Sequence, residues 1–168
     1  MFRETYEGVL AYILRRADPA DAEDIVSETF AVAWRRLDDV PSDPLPWLYA
    51  VARRTLANSR RSVLRRTQLA TRLAAEGRLA SLVGSDPGEQ LEEAVVMRAA
   101  LSRLAEADRE ALMLVAWEGL DNERASIVFG VSTQVFAVRL HRARRRLGEE
   151  IERLSSTRAS DDAVTEER

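Results

Sequence analysis

Apolar residues recur at helical spacing along almost the whole of this 168-residue chain, and no segment shows the alternation that marks a β-strand. In residues 19–37 the apolar side chains follow one another at intervals of three and four, which predicts that they share the inward face of a helix. They are Ile25, Val26, Phe30, Ala33, Trp34 and Leu37. This periodicity predicts an all-α protein.

The helical pattern is interrupted once, and the interruption suggests two small domains. Helices are predicted from about residue 2 to 16, from Pro19 after an Asp18 cap, and from Pro46 onward. The pattern weakens near residue 69, becomes rich in glycine at 84–88, and resumes near Glu89. We therefore predict helical domains at 1–68 and 91–154, a flexible linker at 69–90, and a disordered acidic tail at 155–168.

Residues 119–147 predict a helix-turn-helix. Asp121 is placed to cap a first short helix, and Gly130 stands where the chain has to turn. In the following helix Val135, Phe136 and Leu140 are expected to face inward. A helix pair of this size with a basic second member fits the major groove of DNA, although the pattern also suits a helical hairpin with a solvated basic face.

Charge is segregated along the chain, so the net charge of −3 understates its capacity to bind nucleic acid. Residues 1–34 contain seven acids and three arginines, whereas residues 50–79 contain eight arginines and one acid. Residues 139–146 contain five arginines and no acid. Such a density of positive charge favours contact with a phosphate backbone.

Several classes of function are disfavoured by what the sequence lacks. It has no cysteine and one histidine, which leaves no basis for a disulfide framework or a Cys- or His-based metal site. We also find no glycine-rich phosphate loop and no nucleophile–base pairing, so neither an enzyme nor a cofactor is expected. The N-terminus lacks a signal peptide's apolar core and no stretch is long enough to cross a membrane, so we expect a cytoplasmic protein without membrane insertion.

Two stretches of the chain together resemble a known family. Residues 21–39, DAEDIVSETFAVAWRRLDD, and 46–61, PWLYAVARRTLANSRR, look like region 2 of a bacterial sigma factor. Residues 104–147 look like region 4. Their combination over residues 2–66 and 95–153, without a structured domain between, resembles the extracytoplasmic-function (ECF) subfamily of the sigma-70 proteins. The resemblance implies a promoter-specificity subunit of bacterial RNA polymerase that recognises the −10 and −35 promoter elements.

The resemblance also implies particular contacts. The acidic second helix would dock on the clamp helices of the largest polymerase subunit, through Asp21, Asp24, Ser27, Glu28 and Arg35, with Trp34 as a further candidate. Ser27 stands where the family usually has glutamine. The third helix and the loop before it, residues 40–46, would bind the −10 element and receive one flipped base. The candidates on the helix are Trp47, Tyr49, Arg53, Arg54, Asn58, Arg60 and Arg61. Trp47 fits buried structure better than a stacking platform for a base.

Region 4 would read the −35 element as duplex DNA. Its candidate contacts are Arg124, Thr133, Gln134, Arg139, Arg142 and Arg145. Family members often have polar residues early in the recognition helix, whereas this chain has the apolar run 135–138. We therefore expect the arginines to supply more of the affinity than contacts with base edges.

Two other functions compete with this interpretation. A stand-alone helix-turn-helix regulator that never binds polymerase would explain the C-terminal half, but not the acidic second helix followed by a basic third helix. A helical interaction protein that does not read DNA would account for the apolar run in the recognition helix. An anti-sigma factor is a candidate partner that no residue here identifies.

Overall fold

The computed structural model describes residues 2–70 and 89–166, which form seven α-helices and one short 3₁₀ turn with no β-strand. The predicted all-α class is thereby confirmed. The helices are α1 (Phe2–Leu14), α2 (Pro19–Arg35), α3 (Pro44–Ala70), α4 (Glu89–Arg103), α5 (Glu106–Ala116), α6 (Asn122–Phe129) and α7 (Thr133–Glu166), with the 3₁₀ turn at Leu37–Asp39. The predicted linker at 69–90 lies mostly outside the described residues. None of the described helices is both long enough and apolar enough to cross a membrane.

The start of α2 forms as its sequence predicts. The Asp18 carboxylate accepts a hydrogen bond from the Ala20 N–H at 3.1 Å, and Pro19 occupies the first helical position. The buried side chains of this helix are Ala22, Ile25, Val26, Thr29 and Ala33. Thr29 is fully buried, and its hydroxyl is satisfied because it donates to the Ile25 carbonyl at 2.7 Å.

Helices α1, α2 and α3 pack on one another around a core that contains two stacked tyrosines. The rings of Tyr12 and Tyr49 lie 4.6 Å apart between centroids, a spacing typical of offset stacking. Gly8 permits this close approach of α1 to α3. A Cβ atom at that position would lie 3.2 Å from Leu45 Cδ1 and 3.3 Å from the Tyr49 hydroxyl. Helix α3 begins at Pro44, two residues earlier than the predicted Pro46.

Helix α6 packs along α3, so the first compact unit contains residues 121–133 as well as the N-terminal helices. The Arg53 guanidinium lies 4.5 Å from the centroid of the Phe129 ring, a cation–π contact. Arg124 and Asp43 form an ion pair with an N–O distance of 2.7 Å. Sequence periodicity did not predict this pairing of α6 with α3.

The second compact unit is formed by α4, α5 and the part of α7 that begins at Gln134. Arg109 ties the connection between α4 and α5 by donating to the carbonyls of Leu101, Ser102 and Leu104. The largest buried apolar residues of this unit are Leu101, Leu104, Met113, Leu114, Leu120, Phe136 and Leu140. These side chains form the core of the unit, and the arginines of α7 lie outside this core.

Three positions that the periodicity placed inward lie at the surface. Leu37 and Val135 are exposed, so their inward direction was wrong, and Trp34 is 78% exposed, which excludes the core and leaves the polymerase contact that the resemblance implies. The buried stripe of α2 passes through Thr29 and Ala33, and Trp34 lies about 100° further around the helix. Two adjacent apolar residues both satisfy a period of 3.6, and only the packing partners decide which of them is buried.

The acidic tail also differs from its prediction. Residues 155–166 continue α7 as a single helix, whereas the composition had predicted disorder. No glycine or proline follows Gly148, so nothing in the sequence terminates the helix after its arginine-rich part.

Candidate nucleic-acid and polymerase interfaces

Helix α2 presents an acidic stripe to solvent. Asp21, Asp24, Ser27 and Glu28 are all exposed, at spacings of three and four that place them on one face of the helix. Among the described residues we find no ion pair to the carboxylates of Asp24 and Glu28. Fixed negative charge without an internal counterion is suited to a basic partner.

The same stripe continues into an exposed aromatic side chain. Trp34 lies two turns beyond Ser27, and Arg35 lies two turns beyond Glu28. An exposed tryptophan beside charged groups is typical of the centre of a protein–protein interface, because it buries a large area at a low cost in conformational entropy. Trp34, a candidate polymerase contact by resemblance, therefore lies on the same exposed face as the acidic candidates.

Helix α3 separates its predicted contacts into two stripes. Arg54, Asn58 and Arg61 follow one another at i+4 and i+3 and are exposed, and Arg61 donates a hydrogen bond to the Asn58 side chain. Arg53 and Arg60 lie on another stripe and are engaged within the unit. Arg53 packs over Phe129, and Arg60 donates to the Arg16 carbonyl at 2.9 Å. The first stripe is therefore the more accessible one for phosphate.

Tyr49 has to be removed from the predicted DNA contacts. It is 3% exposed, and its ring is stacked on Tyr12 inside the three-helix core. The position follows from the periodicity of α3, where Leu48, Tyr49 and Ala52 are all buried. Trp47 is half-buried, with the Arg36 guanidinium 6.0 Å from its ring centroid, which agrees with the structural interpretation of this residue.

The helix-turn-helix forms with the caps that the sequence predicts. The Asp121 carboxylate accepts a hydrogen bond from the Arg124 N–H at 2.8 Å. Gly130 has φ of 68°, its N–H donates to the Ile127 carbonyl, and the Val131 N–H donates to the Ser126 carbonyl. These two bonds make a Schellman motif, which requires a left-handed residue where only glycine is unstrained. The motif therefore ends α6 at Phe129, and α7 begins at Thr133.

The first turns of α7 carry exposed polar and apolar side chains together. Thr133 and Gln134 are exposed, as predicted for residues that contact DNA, and the Thr133 hydroxyl lies 3.4 Å from that of Ser126. Phe136 and Leu140 are buried, which confirms their predicted inward direction. Val135, predicted to face inward, instead lies beside the polar residues at the surface.

Most of the predicted arginine contacts of the second half are held by carboxylates of this chain. Arg124 pairs with Asp43 at 2.7 Å, Arg145 with Glu149 at 3.3 Å, and Arg139 with Asp108 at 3.5 Å. Arg142 is exposed and lines a groove on α7. The two exposed pairs, Arg124–Asp43 and Arg145–Glu149, are each worth about 0–1 kcal/mol.

Asp108 binds two arginines of α7, a contact that was not predicted from the sequence. Its side chain, in the first turn of α5, is 5% exposed and pairs with both Arg139 and Arg146. Arg139 and Arg146 lie two turns apart on one face of α7, so one buried carboxylate can hold both. Asp108 and Arg146 are 38 residues apart in the sequence, and no local sequence pattern indicates such a contact.

These features define an all-helical, helix-turn-helix protein in which an acidic helix face precedes two arginine-rich helices. The family model for Sigma-70 region 2 matches residues 1–67, and that for Sigma-70, region 4 matches residues 94–147. The chain belongs to the sigma-70 family of RNA polymerase sigma factors, in its ECF subfamily.

Relatives support this assignment over most of their length. The chain is 33% identical over 136 residues to the RNA polymerase sigma factor NccH of Alcaligenes xylosoxydans xylosoxydans, which covers 76% of this chain and 72% of the relative. It is 32% identical over 141 residues to the ECF sigma factor EcfG of Rhodopseudomonas palustris strain TIE-1, which covers 82% and 75%.

Solved structures share the fold. The sigma factor RpoE of Bartonella quintana, solved in complex with the anti-sigma factor NepR, matches with a TM-score of 0.67 at 24% identity, over 90% of this chain and 94% of that one. CnrH, solved with the cytosolic domain of CnrY, matches with a TM-score of 0.55 at 24% identity, over 90% and 82%.

Proposed function

We propose that this chain is a promoter-specificity subunit of bacterial RNA polymerase, which binds the core enzyme and directs it to promoters with a −10 and a −35 element. The observation that carries the proposal is the presence of both sigma regions, in order, in a chain of this family. Such a subunit initiates transcription without catalysing it, so the chemistry belongs to the other polymerase chains. In this assignment residues 1–68 serve polymerase and the −10 element, and residues 91–154 serve the −35 element.

The acidic stripe of α2 is the proposed polymerase contact. Asp21, Asp24 and Glu28 offer carboxylates to the clamp helices of the largest subunit, with Ser27, Trp34 and Arg35 on the same face. The exposure of Trp34 beside these acids supports this role, since tryptophan is enriched among the residues that contribute most to binding at protein–protein interfaces.

The exposed stripe of α3 is the proposed −10 contact. Arg54 and Arg61 would neutralise phosphates of the opened strand, and Asn58 between them has both a donor and an acceptor for a base edge. Arg53 and Arg60 become available only if DNA displaces their present partners. Trp47 supports the start of the helix, close to the loop that would receive a flipped base.

The start of α7 and its arginines are the proposed −35 contact. In helix-turn-helix proteins the N-terminal residues of the recognition helix meet the base edges, and here these are Thr133 and Gln134. Arg139, Arg142 and Arg145 extend the same helix toward the phosphate backbone, and Arg124 adds a contact from α6.

The match of the Sigma-70 region 2 model to residues 1–67 argues against a stand-alone DNA-binding regulator. Such a regulator has no use for an acidic stripe that ends in an exposed tryptophan. An anti-sigma factor is part of our proposal as a partner. The RpoE structure named above contains one with its sigma factor, and we extend this class of partner to the present chain.

Transcription with purified components tests the proposed function. Bacterial core polymerase mixed with the full chain is expected to start transcription at a defined set of promoters that the core enzyme alone does not use. Run-off transcription with mapped start sites measures this directly. Sequence-specific DNA binding by the free chain, without association with core polymerase, would establish the regulator instead.

The ion pair between Arg124 and Asp43 leads to a prediction about the −35 contact. Asp43→Asn removes the carboxylate that competes with phosphate for Arg124, so the affinity of the full chain for a −35 duplex should rise about two- to fivefold, the equivalent of a surface ion pair. Fluorescence anisotropy with a labelled duplex measures the change.

Asp39→Asn is the matched control for this variant. It removes the same charge from the same segment, but Asp39 pairs with Arg36 rather than with a proposed DNA contact. Equal gains in affinity from the two variants would mean that only net charge matters and that Arg124 does not contact the duplex.

A further inference from the structure

The recognition helix exposes two valines where base edges would be read. Val135 is 52% and Val138 is 47% exposed, although Phe136 beside them is completely buried. They lie three residues apart and therefore share one face in the first two turns of α7. The core of the unit is closed without them, so burial in this chain does not explain their apolar character.

Positive charge surrounds the valine pair. Val135 and Val138 line a groove of about 520 Å³, and the groove is also lined by Asp108, Gln134, Arg139, Arg142 and Arg146. Asp108 lies beneath the arginines and is paired with two of them, so the outer edge of the groove is cationic. The surface thus combines an apolar floor with a rim that favours a polyanion.

Duplex DNA offers one base group that suits an apolar floor. In the major groove all four bases present hydrogen-bond donors or acceptors, and only thymine adds a methyl group, at C5. A valine side chain has no donor or acceptor, so it distinguishes bases only by burying that methyl group. The arginines that flank it would meet the phosphates on either side.

We propose that Val135 and Val138 determine promoter specificity by packing against thymine C5-methyl groups of the −35 element. The proposal rests on the proposed −35 function and refines it. The proposal predicts that at least one thymine of the −35 element lies opposite the first two turns of α7. The chain would recognise this thymine by apolar contact and not by a hydrogen bond. Gln134 and Thr133 then read the neighbouring base edges, and the arginines hold the helix in register.

Deoxyuridine provides a direct test, because it differs from thymidine only in lacking the methyl group and pairs identically. Holoenzyme assembled from core polymerase and the full chain is titrated with promoter duplexes from the run-off experiment, in which each −35 thymine is replaced singly by deoxyuridine. One or two replacements should weaken binding about fourfold each, the value for one buried methyl-sized group.

Valine substitutions assign that loss to the proposed residues. In Val135→Ala and Val138→Ala the ratio of affinities for thymine and deoxyuridine should fall from about four toward one at the position that each residue contacts. Helicity should be retained, since alanine favours helices and both side chains are exposed. Val131→Ala, at an exposed valine of the turn, should keep the full ratio.

The outcomes separate this proposal from the proposed function. If holoenzyme initiates at its promoters but no deoxyuridine replacement changes its affinity, the methyl readout is wrong and the sigma function stands. If the alanine variants bind every duplex as the original chain does, the valines do not contact the methyl groups and the proposal is wrong. If no promoter-specific initiation occurs, the sigma function itself fails.

Discussion

Replacing Asp24 and Glu28 together with alanine is expected to weaken binding to core polymerase by about 30-fold, if each carboxylate makes one ion pair worth about 1 kcal/mol. Both residues are exposed on the acidic stripe of α2, so the helix should keep its structure. Titration of core polymerase with a fluorescently labelled chain measures the loss, and circular dichroism measures the helicity.

A double variant with the same change in charge makes this experiment specific. Glu7→Ala with Asp38→Ala also removes two exposed acids, and neither residue lies on α2. It should bind core polymerase within about twofold of the original chain, because surface substitutions outside an interface have small effects. If both double variants lose affinity equally, overall charge steers the association and the stripe is not the contact.

Phe136→Ala is expected to lower the free energy of unfolding by about 3–5 kcal/mol, the usual cost of truncating a buried phenylalanine. Phe136 is completely buried in the second unit, and the variant leaves a cavity directly beneath the recognition helix. A domain of ordinary stability, about 5–15 kcal/mol, would lose a large part of it. Denaturant unfolding measures the change, and initiation at promoters that depend on a −35 element should fall with it.

Phe136→Leu is the companion variant, because it keeps most of the apolar volume. It should cost less than about 2 kcal/mol and preserve most of the initiation. A loss below about 1 kcal/mol in Phe136→Ala would show that the site collapses around the smaller side chain, contrary to the tight packing of this unit.

The parts of this fold that depend on neighbouring residues were predictable from the sequence. The Asp18 cap, the Asp121 cap and the glycine turn at Gly130 each form from residues within five positions of one another. Their physical causes are the unsatisfied N–H groups of a helix start and the left-handed backbone of a helix end. Local chemistry of this kind is fully contained in a short stretch of sequence.

The surface contacts were less predictable, because they depend on elements far apart in the chain. Tyr49 was predicted to meet DNA, yet it stacks on Tyr12 of another helix. Trp34 and Val135 satisfied the apolar period but had no element against which to pack. Asp108, which holds Arg139 and Arg146, gave no signal at all, since a single acid at the start of a helix is ordinarily explained by the helix dipole.

The ion pairs within this chain should affect how strongly its DNA affinity depends on salt concentration. Arg124, Arg139, Arg145 and Arg146 each hold a carboxylate of this chain, which a phosphate would have to displace. Added salt weakens arginine–phosphate attraction, but it also weakens the carboxylate pairs that oppose it. The loss of arginine–phosphate attraction and the loss of the competing carboxylate pairs partly cancel as salt is added. The slope of log K for DNA binding against log salt concentration should therefore indicate fewer phosphate contacts than the number of arginines at the DNA. Affinity of this protein for its promoters would then tolerate changes in ionic strength better than its arginine-rich surface suggests.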